Sequence, residues 1–116
     1  MSRDLSFWKT STKVEVDNKT IYTTLSEAKH LVFIDEIPMD DIKEDFSKVF
    51  KDWINDDNMY YEKGSESFQL MITKQFVRAE CYGVTKTSIN MIVDILLKYN
   101  CPLYDPIIDV RFDAIK

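Results

Sequence analysis

The stretch Thr85–Asn100, TKTSINMIVDILLKYN, restricts what this chain can fold into more than any other. On a 3.6-residue wheel Ile89, Ile92, Val93, Leu96 and Leu97 form one apolar stripe. Met91, Ile95 and Tyr99 widen that stripe to well over half the circumference. Only Asn90, Asp94 and Lys98 make a polar strip, which places Asp94 to pair with Lys98 one turn on. Thr85 or Thr87 can serve as N-cap, and Asn100 can take a left-handed position before Cys101-Pro102 stops the helix. A helix this apolar must be covered by the rest of the chain, and it carries no chemistry of its own.

The other elements are read from their periods. Between residues 4 and 24 the β-formers Leu5, Phe7, Val14, Val16, Ile21 and Tyr22, with turn-like Lys9–Lys13 and Asp17–Lys19, predict two or three short N-terminal hairpin strands. Residues 31–34, LVFI, fit either a short buried strand or a packed loop. Pro38 then opens a helix whose apolar side is Ile42, Phe46, Val49, Phe50, Trp53 and Ile54, ending by about Asn55–Asn58. Its first turns are crowded with acids, as the helix dipole favours, and Glu44 precedes Lys48 in the favourable order. Met59–Glu62, Phe68–Thr73 and Gln75–Tyr82 read as strands, with Lys63-Gly64-Ser65 as a turn. Phe68, Leu70 and Ile72 share one face, as do Val77, Ala79 and Cys81, while Phe76, Arg78, Glu80 and Tyr82 take the wetter side. Gly83 breaks the strand before the central helix, and Ile107–Phe112 makes a last one.

Strands, helix, two strands, helix, strand is the order of a ferredoxin-like split βαβ sandwich: α+β, with an antiparallel sheet and two helices on one face, here extended by N-terminal hairpin strands. At 116 residues a single α+β domain, 1–116, is expected. No apolar run approaches membrane-spanning length, and the opening MSRDLSFW lacks the apolar core of a signal peptide. The cytoplasm is therefore the expected compartment, with Cys81 and Cys101 as reduced core thiols.

The net charge of −5 is a local feature. Asp35–Asp57 holds nine acids against three lysines, a segment of −6, so the remainder is near neutral. That surface argues against nucleic-acid binding, which needs Lys and Arg on phosphates, and suits a basic protein partner. Solubility and dipole compensation on a helix's solvent side explain the same acids.

Catalytic patterns are sparse. Phosphate-cradling glycine loops are absent, since Gly64 and Gly83 stand alone, so no cofactor is expected. Asp52, Asp56 and Asp57 offer oxygen ligands but without calcium-loop spacing or a loop glycine, so no metal is expected. A nucleophile–base pair would have to join Cys81 to His30, the single histidine, and no catalytic residue is assigned. Aromatics beside acids are what protein-binding surfaces use as anchors, although sheet packing also uses them.

The segments Arg3–Lys9 (RDLSFWK), Cys81–Gly83 (CYG), Cys101–Pro106 (CPLYDP) and Arg111–Asp113 (RFD) resemble small uncharacterised bacterial proteins, some of them similar to immunity proteins of contact-dependent or polymorphic toxin systems. The resemblance implies a cytoplasmic, non-enzymatic protein that binds and blocks a toxin domain. The expected partner-binding surface is Asp35, Glu36, Asp41, Glu44, Asp52, Asp56 and Asp57, flanked by Tyr60 and Tyr61. The alternative is a small-ligand-binding or regulatory ferredoxin-like domain, monomer or homodimer.

Overall fold

The computed structural model describes residues 2–10, 16–56 and 59–112. The central helix, α3, spans Lys86–Leu97, and its boundaries are the ones its local chemistry dictates. Thr85 is the N-cap, its hydroxyl accepting the Ser88 amide at 3.2 Å. At the other end Asn100 adopts φ +62°, and the Cys101 amide closes the last turn on the Leu96 carbonyl at 3.0 Å. The buried side is Ile92, Ile95 and Leu96, so the helix is turned away from the centre of its apolar stripe. Val93 and Ile89 are only partly covered and Leu97 is 40% exposed, because no element among the described residues closes over that flank.

Among the described residues seven strands make one sheet: β1 Ser2–Phe7, β2 Ile54–Asp56, β3 Tyr60–Lys63, β4 Glu66–Ile72, β5 Val77–Tyr82, β6 Leu103–Asp105 and β7 Val110–Phe112. Their order is β2-β3-β4-β5-β1-β6-β7, every neighbouring pair antiparallel. The register sets Leu5 and Leu70 on either side of Ala79, and Phe68 beside Cys81. The alternation that follows puts Leu5, Phe7, Phe68, Leu70, Val77, Ala79 and Cys81 on one face, against α3 and the helix α2, Met39–Val49. Gly83 ends β5 at φ +64°, where a Cβ would stand 2.8 Å from the Ser65 carbonyl oxygen.

Helix α2 starts as expected: Pro38 caps it, and the Pro38 carbonyl accepts the Ile42 amide at 3.0 Å. It stops at Val49, well before the expected Asn55–Asn58. The Trp53 amide folds back on the Phe50 carbonyl at 3.0 Å, and Phe46, Phe50, Trp53, Tyr61 and Phe68 form an aromatic cluster. Phe50 meets Trp53 edge-on at 5.1 Å, and Tyr61 stacks on Phe68 at 5.0 Å. Burying such rings contributes roughly 2–3 kcal/mol each. A helix continued to residue 54 would carry Trp53 past the cluster, so packing overrides the period. Ile54 becomes the start of an edge strand instead and is 69% exposed.

The expected N-terminal hairpin is not formed from residues 17–24. Asn18–Ser26 is a helix, α1, capped by Asp17, whose Oδ1 accepts the Thr20 amide at 2.7 Å. Ile21 and Leu25, one turn apart, are its buried residues. The helix wins because the cap and this i, i+4 pair act together, outweighing the β-branched threonines between them. Lys13 and Val14 of the expected hairpin lie outside the described residues. The sheet is extended instead by β2-β3 at one edge and β7 at the other.

With α1, the sheet's second face gains a core of its own: Trp8, Ile21, Leu25, Ile34, Phe76 and Tyr104. Phe76, expected on the wetter side, is fully buried there. Residues 31–34 are a loop, clamped by the buried Gln75 side chain. Its Oε1 accepts the Leu31 amide at 2.9 Å, while its Nε2 donates to the carbonyls of Leu31 at 2.6 Å and Ile34 at 2.8 Å. At the far edge, the Arg111 guanidinium of β7 lies 4.9 Å over the Trp8 ring and donates to the Trp8 carbonyl. No helix among the described residues is long and apolar enough to cross a membrane.

Candidate protein-binding face

Helix α2 presents its polar side outward because Ile42 and Phe46, one turn apart, are drawn inward. Asp40, Asp41 and Glu44 are therefore exposed along it. Glu44 pairs with Lys48 at 3.4 Å, both ends well solvated, so the pair adds little stability. Lys98 does not pair with Asp94 on its own helix. It crosses to Asp45 of α2 at 3.0 Å, and the Tyr99 hydroxyl donates to the same carboxylate oxygen. The reason is burial: the Asp45 side chain is only 17% exposed and needs partners, whereas Asp94 is exposed to water. Tyr99 foremost, then Lys98, holds the Asp45 carboxyl below its ordinary range. Burial, then the bond to Asp45, pushes the Tyr99 hydroxyl up to about 12, with Asp41 and Glu44 adding to the effect through space.

Beside this clasp runs a groove of about 410 Å³ between α2 and α3. Its apolar floor is Val49, Met91 and Ile95, and Asp45, Asp94, Lys48 and Lys98 stand around it. Val49 is 41% exposed there, an apolar side chain with acids nearby on both helices.

The expected site residues fall in separate places. Asp41 and Glu44 share the outer side of α2. Asp35 and Glu36 sit at an end of the sheet, in the loop tied down by the Asp35 amide on the Lys9 carbonyl and the Ile37 amide on the Lys74 carbonyl, 3.0 and 2.7 Å. Asp52 is exposed in the turn after α2 rather than on a helix. Asp56 lies in β2 opposite Tyr60 of β3, and Asp57 lies outside the described residues. Tyr60 is half-buried. Tyr61 is a correction: it is fully buried in the aromatic cluster and offers nothing to a partner. Adjacent residues of a strand point to opposite faces, so only one of the two tyrosines was ever able to face outward. The groove residues Asp45, Asp94 and Met91, and Tyr99 beside them, are not part of the expected surface, because pairing across two helices leaves no mark on either one alone.

No thiol–imidazole pair is built. Burial pushes the thiols of Cys81 and Cys101 up to about 12, and both are free and buried. His30 is exposed, lining a shallow pocket with Lys29, Lys74 and Thr73. Among the described residues no three His, Cys, Asp or Glu side chains are grouped to hold a metal ion. No protein-family model, no curated protein and no solved structure matches the chain.

Proposed function

We propose that this chain is a protein-binding module that receives a basic partner on the outer side of α2 and the adjoining α2–α3 groove. Immunity to a bacterial toxin domain, in the cytoplasm, is its sharpest form. The observation that carries the reading is the placement of solvent-facing Asp41 and Glu44 on the helix whose exposed Val49, with half-buried Met91, floors the adjoining groove. Apolar anchors set beside a charged helix face are how interfaces combine affinity with steering. A ferredoxin-like core fits the same reading. The central strands β4-β5-β1-β6 with α2 and α3 as connections follow split βαβ order, and a rigid sheet behind α2 would present its acids without reorganisation.

The test is the association rate with a purified basic toxin domain encoded beside this gene, for wild type and for the triple reversal of Asp41, Glu44 and Asp52 to Lys. The reversal is expected to slow association by about tenfold or more at low salt, with the fold intact by circular dichroism. An unchanged rate would sink the acidic-face reading.

A further inference from the structure

The uncovered flank of α3 borders a second groove, independent of the acidic face and larger, at about 580 Å³. Small-molecule sites typically measure roughly 300–1,000 Å³ and are mostly apolar with a few placed polar groups. Here Ile89, Val93 and Leu97 of α3 face Leu103 of β6 and Phe112 of β7 across it. Leu103 and Phe112 are direct cross-strand partners, so the wall is a single apolar step of the sheet edge.

The polar side chains at this groove are two cations, Arg3 and Lys86, and the amide of Asn90, which both donates and accepts. Among the described residues no carboxylate lines it, in a chain with 20 acids and 15 bases. Arg3 is held from behind. Its Nη2 bridges Asp105 Oδ2 at 2.9 Å; the Asp105 side chain is 5% exposed and that of Arg3 48%. The other oxygen of Asp105 accepts the Ile107 amide at 3.0 Å, which fixes the carboxylate and through it the guanidinium. One Arg3 N–H group is used in this way, and a guanidinium has five. Lys86 makes no ion pair among the described residues, and the nearby Glu66 is engaged by the Thr85 amide at 3.0 Å.

We infer that this groove binds a small amphipathic monoanion: a carboxylate with an unbranched apolar body, its head between Arg3 and Lys86 and its tail along Val93 and Leu97. Charge complementarity selects this occupant. A purely apolar ligand would leave the oriented guanidinium's remaining N–H groups unused, and a cationic one would meet those donors and the ammonium of Lys86 with no acceptor charge to offset it.

Decanoate, decanol and decylamine, equal in chain length, separate the contributions of charge and tail. Methyl NMR titration of the full chain is expected to place decanoate shifts on Ile89, Val93 and Leu97, with decanoate binding tighter than either analogue. Lys86→Gln, at an exposed position, should weaken decanoate by about threefold to fivefold and leave decanol unchanged. Val93→Trp should fill the groove and abolish both while circular dichroism stays native. Decanol binding as tightly as decanoate, shifts elsewhere, or no binding by any of the three would overturn the inference. So would a sedimenting dimer broken by Leu97→Glu, which would make the groove a contact between copies.

Discussion

Tyr99→Phe isolates the contribution of the clasp between α2 and α3, because it deletes one hydroxyl and leaves the ring in place. The lost bond is a neutral donor on a carboxylate that is largely withdrawn from water. Hydrogen bonds to charged groups contribute roughly 1.5–3 kcal/mol net, and the half-exposed seam argues for the lower end, about 1.5 kcal/mol. Lys98 reaches the same oxygen, but its side chain is 63% exposed, so Lys98→Met should cost only about 0.5 kcal/mol. Urea unfolding followed by tryptophan fluorescence would measure both, and Tyr99→Phe should also lower Tm by about 5 °C for a chain of this length. The pH dependence carries a sign. The folded Asp45 carboxyl titrates below its unfolded value, so its stabilisation is complete above that unfolded value, near 4, and is lost as pH falls through the lower folded one. The Tyr99→Phe deficit should therefore be smaller at pH 2.5 than at pH 7. A deficit equal at both pH values, or a Lys98→Met deficit larger than that of Tyr99→Phe, would refute the reasoning.

Three further outcomes are expected in the same unfolding assay. Tyr61→Phe should be neutral or slightly stabilising, since the buried Tyr61 hydroxyl has no hydrogen-bond partner among the described residues, whereas Phe68→Ala beside it should cost about 3–5 kcal/mol. Gly83→Ala should cost more than Gly64→Ala, roughly 2 against 1 kcal/mol, because both sit at positive φ but only Gly83 meets a carbonyl oxygen. Gln75→Ala should destabilise by about 2–4 kcal/mol, and amide exchange at Leu31 should accelerate with it, because that amide donates to the Gln75 side chain.

What was legible in the sequence was chemistry that acts within one turn. The caps of α3, the start of α2 at Pro38, and the buried sides of β4 and β5 all follow from neighbours close in the chain. What was not legible needed a partner from elsewhere. The end of α2 depends on where Tyr61 and Phe68 receive Trp53, and periodicity alone carried the helix too far. In α1 the β-branched run Thr20-Ile21 and Thr23-Thr24 masked a cap that Asp17 and Thr20 already spelled out at the right spacing. The acids of the candidate face were visible as a run, but their division among a helix, a turn, a loop and a strand was not. Nor was the choice of Lys98 for Asp45 over Asp94, since it is decided by which carboxylate is withdrawn from water.

The loop between α1 and α2 has a mechanical consequence. Ile34 belongs to the core on one side of the sheet and Ile37 to the core on the other, with a single turn's worth of chain between them. The backbone there is pinned at both ends, to Lys9 and to Lys74. Neither layer can loosen without drawing this stitch through the sheet's end, so the two halves of the sandwich should melt as one cooperative unit. A load applied to α2 by a partner would be borne by α1 on the opposite side.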